Sequence, residues 1–147
     1  MEASITWDHG LSFTGTAGTG FNLPLGGSKD GGGDDDGFRP MELLLVGLAG
    51  CTGMDVISIL QKKRQDVTGF QVKVHASRAA EHPRIFTDIM LEYVVRGRHI
   101  DPAAVDHAIE LSATKYCSAS AMLARAANIR HEVRIVEEEP EPVTIPV

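Results

Sequence analysis

From Pro40 to Lys63 the chain is built of helix formers interrupted only by glycines, and its apolar residues refuse to keep to one stripe. At about 100° of rotation per residue, Leu43, Leu44, Leu45, Val46 and Leu48 together surround the helix axis. A helix apolar on every side has no face to give to water, so its first half is expected to be buried all round, at the centre of the fold. Pro40 suits the first turn, and Lys62, Lys63 and Arg64 complement the negative end of the helix dipole. Gly47, Gly50 and Gly53 recur at three-residue steps and leave a strip without side chains. Each such glycine costs about 1 kcal/mol relative to alanine, so the strip points to close packing against another backbone, within the chain or across a subunit boundary.

The flanking segments supply sheets for this helix. Ile5 to Asp8 and Leu11 to Thr14 alternate around a turn at Asp8-His9-Gly10 and predict a hairpin. Phe21 to Leu25 predicts a third strand, with Pro24 placing it at an edge. Residues 26–38, rich in Gly and Asp, have the composition of a flexible loop. The triplet Asp34-Asp35-Asp36 lacks the ligand spacing and distal Glu of an EF-hand. Gly69 to Ser77 and Ile85 to Val95 alternate as an antiparallel pair. Asp101-Pro102 starts a helix expected to run to about Lys115, Ser118 to Ala127 predicts a short helix, and Ile129 to Val136 a last strand. The class is α+β: a long central helix packed against antiparallel sheets in one domain over residues 1–137. A Pro- and Glu-rich tail at 138–147 is expected to be disordered.

Composition narrows the partners. A net charge of −6 and a pI near 5.4 leave no clustered cationic surface for phosphates, so nucleic acid is not expected. The first residues show no basic and apolar leader, and the longest uninterrupted apolar run, Leu43 to Ala49, falls short of the roughly 20 residues of a membrane helix. A soluble, cytoplasmic protein without membrane contact is the expectation.

Two residues stand out chemically. Cys51 sits in Leu48-Ala49-Gly50-Cys51-Thr52-Gly53, where small neighbours leave room to reach sulfur, although Asp55 one turn on would disfavour a thiolate. Cys117 stands at the entrance of the short helix, where unpaired amides should favour the thiolate. Their separation forms neither a Cys-x-x-Cys motif nor a zinc knuckle, and buried apolar filler is the alternative for both. Arg39 and Glu42 flank Pro40. Glu42 lies nine residues before Cys51, about 13.5 Å along an ideal helix, and reads first as a favourable first-turn acid. The six histidines form no ligand cluster, so neither a metal nor another cofactor is expected.

With these pieces in order the chain resembles the OsmC/Ohr superfamily, most closely its YhfA-like branch. The carrying residues are Arg39-Pro40-Met41-Glu42-Leu43-Leu44-Leu45, the run Gly47 to Val56 around Cys51, Ile59 to Val67, and Lys115-Tyr116-Cys117-Ser118. The resemblance implies an intertwined homodimer with sites at the subunit interface. It implies that Cys51 attacks a peroxide and that Cys117 condenses with the resulting sulfenic acid, with an unknown dithiol as reductant. In oxidative-stress defence this would be a thiol-dependent hydroperoxidase with catalytic Cys51, Cys117 and Glu42. The chain departs from the characterised pattern in two places: no Arg precedes Arg39, and Met41 follows Pro40, so that Glu42 comes one position late. The alternative is a non-enzymatic protein that binds a small apolar ligand or senses redox state.

Overall fold

The computed structural model describes residues 1–139, so the expected tail lies outside the described residues from position 140 onward. The chain forms two compact units, Met1–Val46 and the part from Gly47 onward.

In the first unit, β1 (Ala3–His9), β2 (Ser12–Ala17) and β3 (Asn22–Leu25) form an antiparallel meander, with Trp7 opposite Phe13 and Thr14 opposite Pro24. Gly10 makes the tight turn at φ 49°. β3 is the edge strand that Pro24 predicted, and its carbonyl accepts the Phe38 N–H at 3.0 Å as the chain returns alongside. Residues 26–38, expected as a flexible loop, contain a one-turn 3-10 helix at Lys29–Gly31 and cross-bonds from Gly33 N–H to the Ser28 carbonyl at 2.8 Å and from Asp35 N–H to the Gly27 carbonyl at 3.1 Å. Ser12 Oγ donates to Asp36 at 2.6 Å. The glycines here serve close approach: a Cβ on Gly33 would stand 2.3 Å from the Gly27 oxygen.

The second unit carries the larger sheet, in the order β4-β5-β6. β4 (Asp66–Arg78) and β5 (Phe86–Arg98) pair antiparallel as expected, with Tyr93 opposite Val72. β6 (Asn128–Glu137) joins β5 in parallel, so the sheet is mixed where antiparallel sheets were expected. A parallel neighbour needs a long crossover, and here helices supply it. They are α2 (Pro102–Leu111), a wider π-helical turn at Ser112–Tyr116, and α3 (Ser118–Leu123). Asp101 caps α2 by accepting the Ala103 N–H at 3.0 Å. α2 was expected to continue regularly to Lys115 and the short helix to reach Ala127; the structure ends them at Leu111 and Leu123.

The long helix, α1 (Pro40–Lys62), starts where Pro40 predicted and spans the boundary between the units. Its later part brings Leu48, Val56 and Leu60 into the core with Ile89, Leu91, Tyr93 and Val95 of β5 and Val105 and Ala108 of α2, all fully buried. The expected all-round burial of its first half is not met within a single chain. Leu44 and Val46 are 48% and 54% exposed, Met54 is 73% exposed, and a Cβ on Gly47 or Gly50 would meet nothing within 4 Å. Only Gly53 of the strip is approached, by Val72 at 3.5 Å and Phe70 at 3.6 Å. By length and composition α1 would also be apolar enough to cross a membrane, a test that core helices of water-soluble proteins pass too. Counting only the unbroken run Leu43 to Ala49 understated this.

Candidate redox site

Cys51 and Asp55 are four residues apart on α1 and therefore share a face of the helix. The π-helical turn after α2 widens the chain path just before Cys117 and sets that residue as the N-cap of α3. Both features converge: Cys51 Sγ, Cys117 Sγ and an Asp55 carboxylate oxygen lie within 4.8 Å of one another. Both thiols are free, Cys51 partly accessible and Cys117 buried at 3% exposure. A disulfide bond is about 2.05 Å long, so the two sulfurs need to close only a few ångströms to form one.

The environment of Cys117 differs from the sequence expectation. Its sulfur does accept the Ser120 N–H at 3.3 Å, as an N-cap should. Burial nevertheless pushes the thiol above its ordinary value, with Cys51 alongside adding to the rise and the Ser120 contacts only partly offsetting it. A helix of six residues presents a weak dipole, and the loss of hydration outweighs it. Cys117 is therefore held as a thiol.

Beneath the sulfurs runs a continuous file of polar side chains that the sequence did not disclose. Ser112 Oγ donates to Asp55 Oδ2 at 2.9 Å and lies 3.0 Å from Thr52 Oγ1. Thr52 Oγ1 is 2.8 Å from the Tyr93 hydroxyl, which is 3.2 Å from His131 Nδ1. Ser112, Thr52 and Tyr93 are at most 1% exposed. The Tyr93 hydroxyl is pushed up to about 12 by burial, against a lowering contact from Thr52, and loss of hydration lowers the pKa of His131 and keeps its ring neutral. His131 stacks on Tyr93 with ring centroids 5.9 Å apart and borders an open pocket of about 400 Å3 with Ala113, Ser120, Ala121 and Asn128. These partners come from α1, the π-helical turn, β5 and β6, so no local spacing could reveal them.

Glu42 and Arg39 lie at the start of α1. The Glu42 carboxylate accepts the Arg39 backbone N–H at 3.0 Å, and the Arg39 guanidinium pairs with Asp35. Nine helical residues, about 13.5 Å of rise, separate Glu42 from Cys51. The first-turn acid thus closes the helix start, and the structure does not bring it to the thiols of its own chain. Among the described residues, the other group with metal-ligating atoms this close is His9, Asp34 and Asp36 in the first unit, all exposed.

Comparison with known proteins follows the same outline. Residues 32–132 match the family described as OsmC-like protein. The chain is 43% identical over 136 residues to Protein YhfA of Escherichia coli, covering 92% of this chain and 98% of that protein. A crystal structure of a hypothetical protein from Aquifex aeolicus superposes with a TM-score of 0.82 at 31% identity, covering 94% of this chain and 97% of the other. An organic hydroperoxide resistance protein from Legionella pneumophila shares the fold with a TM-score of 0.66 at 14% identity, covering 90% of this chain and 94% of that one.

Proposed function

The chain belongs to the OsmC-like protein family, and from that premise we propose that it is a cysteine-based peroxidase that reduces organic hydroperoxides as a homodimer in the cytoplasm. One observation carries the reading: an accessible Cys51 and a buried Cys117 with sulfurs within 4.8 Å. Accessibility gives Cys51 the first step. Its thiolate attacks the outer peroxide oxygen, the O–O bond breaks, and the departing alkoxide takes up the proton that the thiol gave up, leaving a sulfenic acid and an alcohol. Cys117 then attacks the Cys51 sulfur, the S–O bond breaks, and hydroxide leaves as water with the Cys117 proton. Two thiols and one hydroperoxide become a disulfide, an alcohol and water, and an external dithiol restores the pair.

The unpartnered apolar surface favours the homodimer. Besides Leu44, Val46 and Met54, the first unit carries an apolar groove of about 440 Å3 lined by Ile5, Phe21, Leu23 and Leu25. Patches of this kind on a protein surface mark association. The shared fold of the Legionella hydroperoxide resistance protein motivates the choice of substrate.

Stopped-flow consumption of an alkyl hydroperoxide tests the proposal. Wild type should turn over and end as an intramolecular disulfide, Cys117→Ser should stop at the sulfenic acid after one equivalent, and Cys51→Ser should be inert. Equal rates for wild type and Cys51→Ser would remove the peroxidase reading and leave the ligand-binding or redox-sensing one.

A further inference from the structure

The step that this site makes hardest is the return of the disulfide to two thiols. Attack by an external dithiol must fall on Cys51, the accessible sulfur, so that Cys117 leaves. Exchange is slow when the leaving thiol holds its proton tightly, and a thiolate left in a dry site needs a proton. Cys117 is 3% exposed and cannot take that proton from water directly. Asp55 lies within 4.8 Å of its sulfur.

We propose that His131, Tyr93, Thr52 and Ser112 form a proton relay that carries a proton from the pocket beside β6 to Asp55, and so to Cys117, when the disulfide is reduced. The inference rests on the thiol-pair reading of the site. A hydroxyl has a single proton to donate, and this fixes the direction of the file once Ser112 gives its own to Asp55. Ser112 Oγ is placed to donate to Asp55 at 2.9 Å or to Thr52 at 3.0 Å; with its proton directed at Asp55, the relay takes Thr52 as donor to Ser112 in place of the reverse, Tyr93 as donor to Thr52, and His131 as donor to Tyr93 from Nδ1. His131 therefore holds its proton on Nδ1, leaving Nε2 to take one from solvent.

The transfer balances. The reductant sulfur bonds to Cys51, the S–S bond breaks, and the electron pair goes to Cys117. Asp55 takes a proton from Ser112 and passes it to Cys117. Each hydroxyl is refilled by the next, His131 Nδ1–H supplies Tyr93, and Nε2 binds a proton from water. One proton has entered, and His131 has changed tautomer. The three inner members are at most 1% exposed, whereas His131 borders the open pocket, so the file has one wet end.

The test uses the oxidised full-length protein, its disulfide formed with diamide so that the relay is examined whether or not a hydroperoxide is the substrate. Reduction by dithiothreitol should show a solvent deuterium isotope effect in wild type. Tyr93→Phe and His131→Gln should slow it about tenfold or more and abolish the isotope effect, and imidazole in the buffer should restore His131→Ala. A merely structural role for Tyr93 gives the opposite sign, because a loosened core exposes the disulfide and speeds reduction. Nitrogen-15 NMR gives a readout independent of thiol chemistry: His131 should carry its proton on Nδ1 in wild type and on Nε2 in Tyr93→Phe. Unchanged or faster reduction in both variants, or an Nε2–H tautomer in wild type, overturns the relay. Failure to form a Cys51–Cys117 disulfide would instead overturn the thiol-pair reading.

Discussion

Removing the Tyr93 hydroxyl should cost stability at neutral pH and cost progressively less in alkali. The hydroxyl bonds Thr52 at 2.8 Å and His131 at 3.2 Å in a site where the tyrosine is fully buried. At about 1 kcal/mol net per hydrogen bond, Tyr93→Phe should be about 2 kcal/mol less stable at pH 8. With a urea m-value of about 2 kcal/mol per molar, the midpoint falls by about 1 M. The alkaline limb has a definite sign. In the fold the phenol ionises only near about 12, against 10.0 for the ordinary group. Between these values the unfolded chain has already lost a proton that the folded one retains, so wild type loses stability as pH rises, by about 1.4 kcal/mol at pH 11. The phenylalanine variant has no such term, and every other titrating group is common to both chains. The gap between them should therefore narrow from about 2 to about 0.6 kcal/mol between pH 8 and pH 11. Urea melts of reduced protein at one fixed chain concentration would measure it, and a gap that stays constant or widens refutes the reasoning.

Further expectations follow from the same geometry. Leu44→Asp combined with Met54→Asp places charge on the exposed apolar side of α1 and should convert a dimer to monomer in sedimentation velocity; an unchanged dimer removes α1 from the interface. Gly97→Ala would set a Cβ 2.2 Å from the Asp66 carbonyl oxygen and 2.6 Å from Ile100 Cδ1, so it should lower stability by about 2 kcal/mol or more, and a melt unchanged within a degree contradicts that packing. The raised pKa of Cys117 contributes stability that is complete below the ordinary thiol value of 9.0 and lost as pH rises above it. Cys117→Ser should therefore show a flatter stability profile than wild type between pH 8 and pH 10, and parallel profiles would contradict a retained proton.

Local signals in the sequence located the elements, and the misses share a physical cause. Pro40, Asp101-Pro102 and the alternation of Phe70, Val72 and Val74 act within a few residues of themselves, and each marks an element present in the structure. The π-helical turn at Ser112–Tyr116 has no such marker, since nothing in Ser-Ala-Thr-Lys-Tyr distinguishes it from a continuing α-helix. Composition shows that residues 26–37 are rich in glycine but not where a glycine is needed for close approach, as at Gly33, where a Cβ would stand 2.3 Å from the Gly27 oxygen. The all-round apolar start of α1 was legible as a demand for burial, but the sequence could not say that the covering surface is missing from a single chain.

The thiols show how local and tertiary terms can oppose each other. At Cys117 the local signal, a helix start, argued for a thiolate, and the tertiary one, burial beside Cys51, won. That reversal makes the site asymmetric, with one sulfur reachable and the other buried and holding its proton; in the cycle proposed above the reachable sulfur begins the chemistry. The same asymmetry creates the need for a path by which a dry sulfur can recover a proton. The polar residues that could provide one, Thr52, Ser112, Tyr93 and His131, are the ones that mean nothing in sequence until four elements meet.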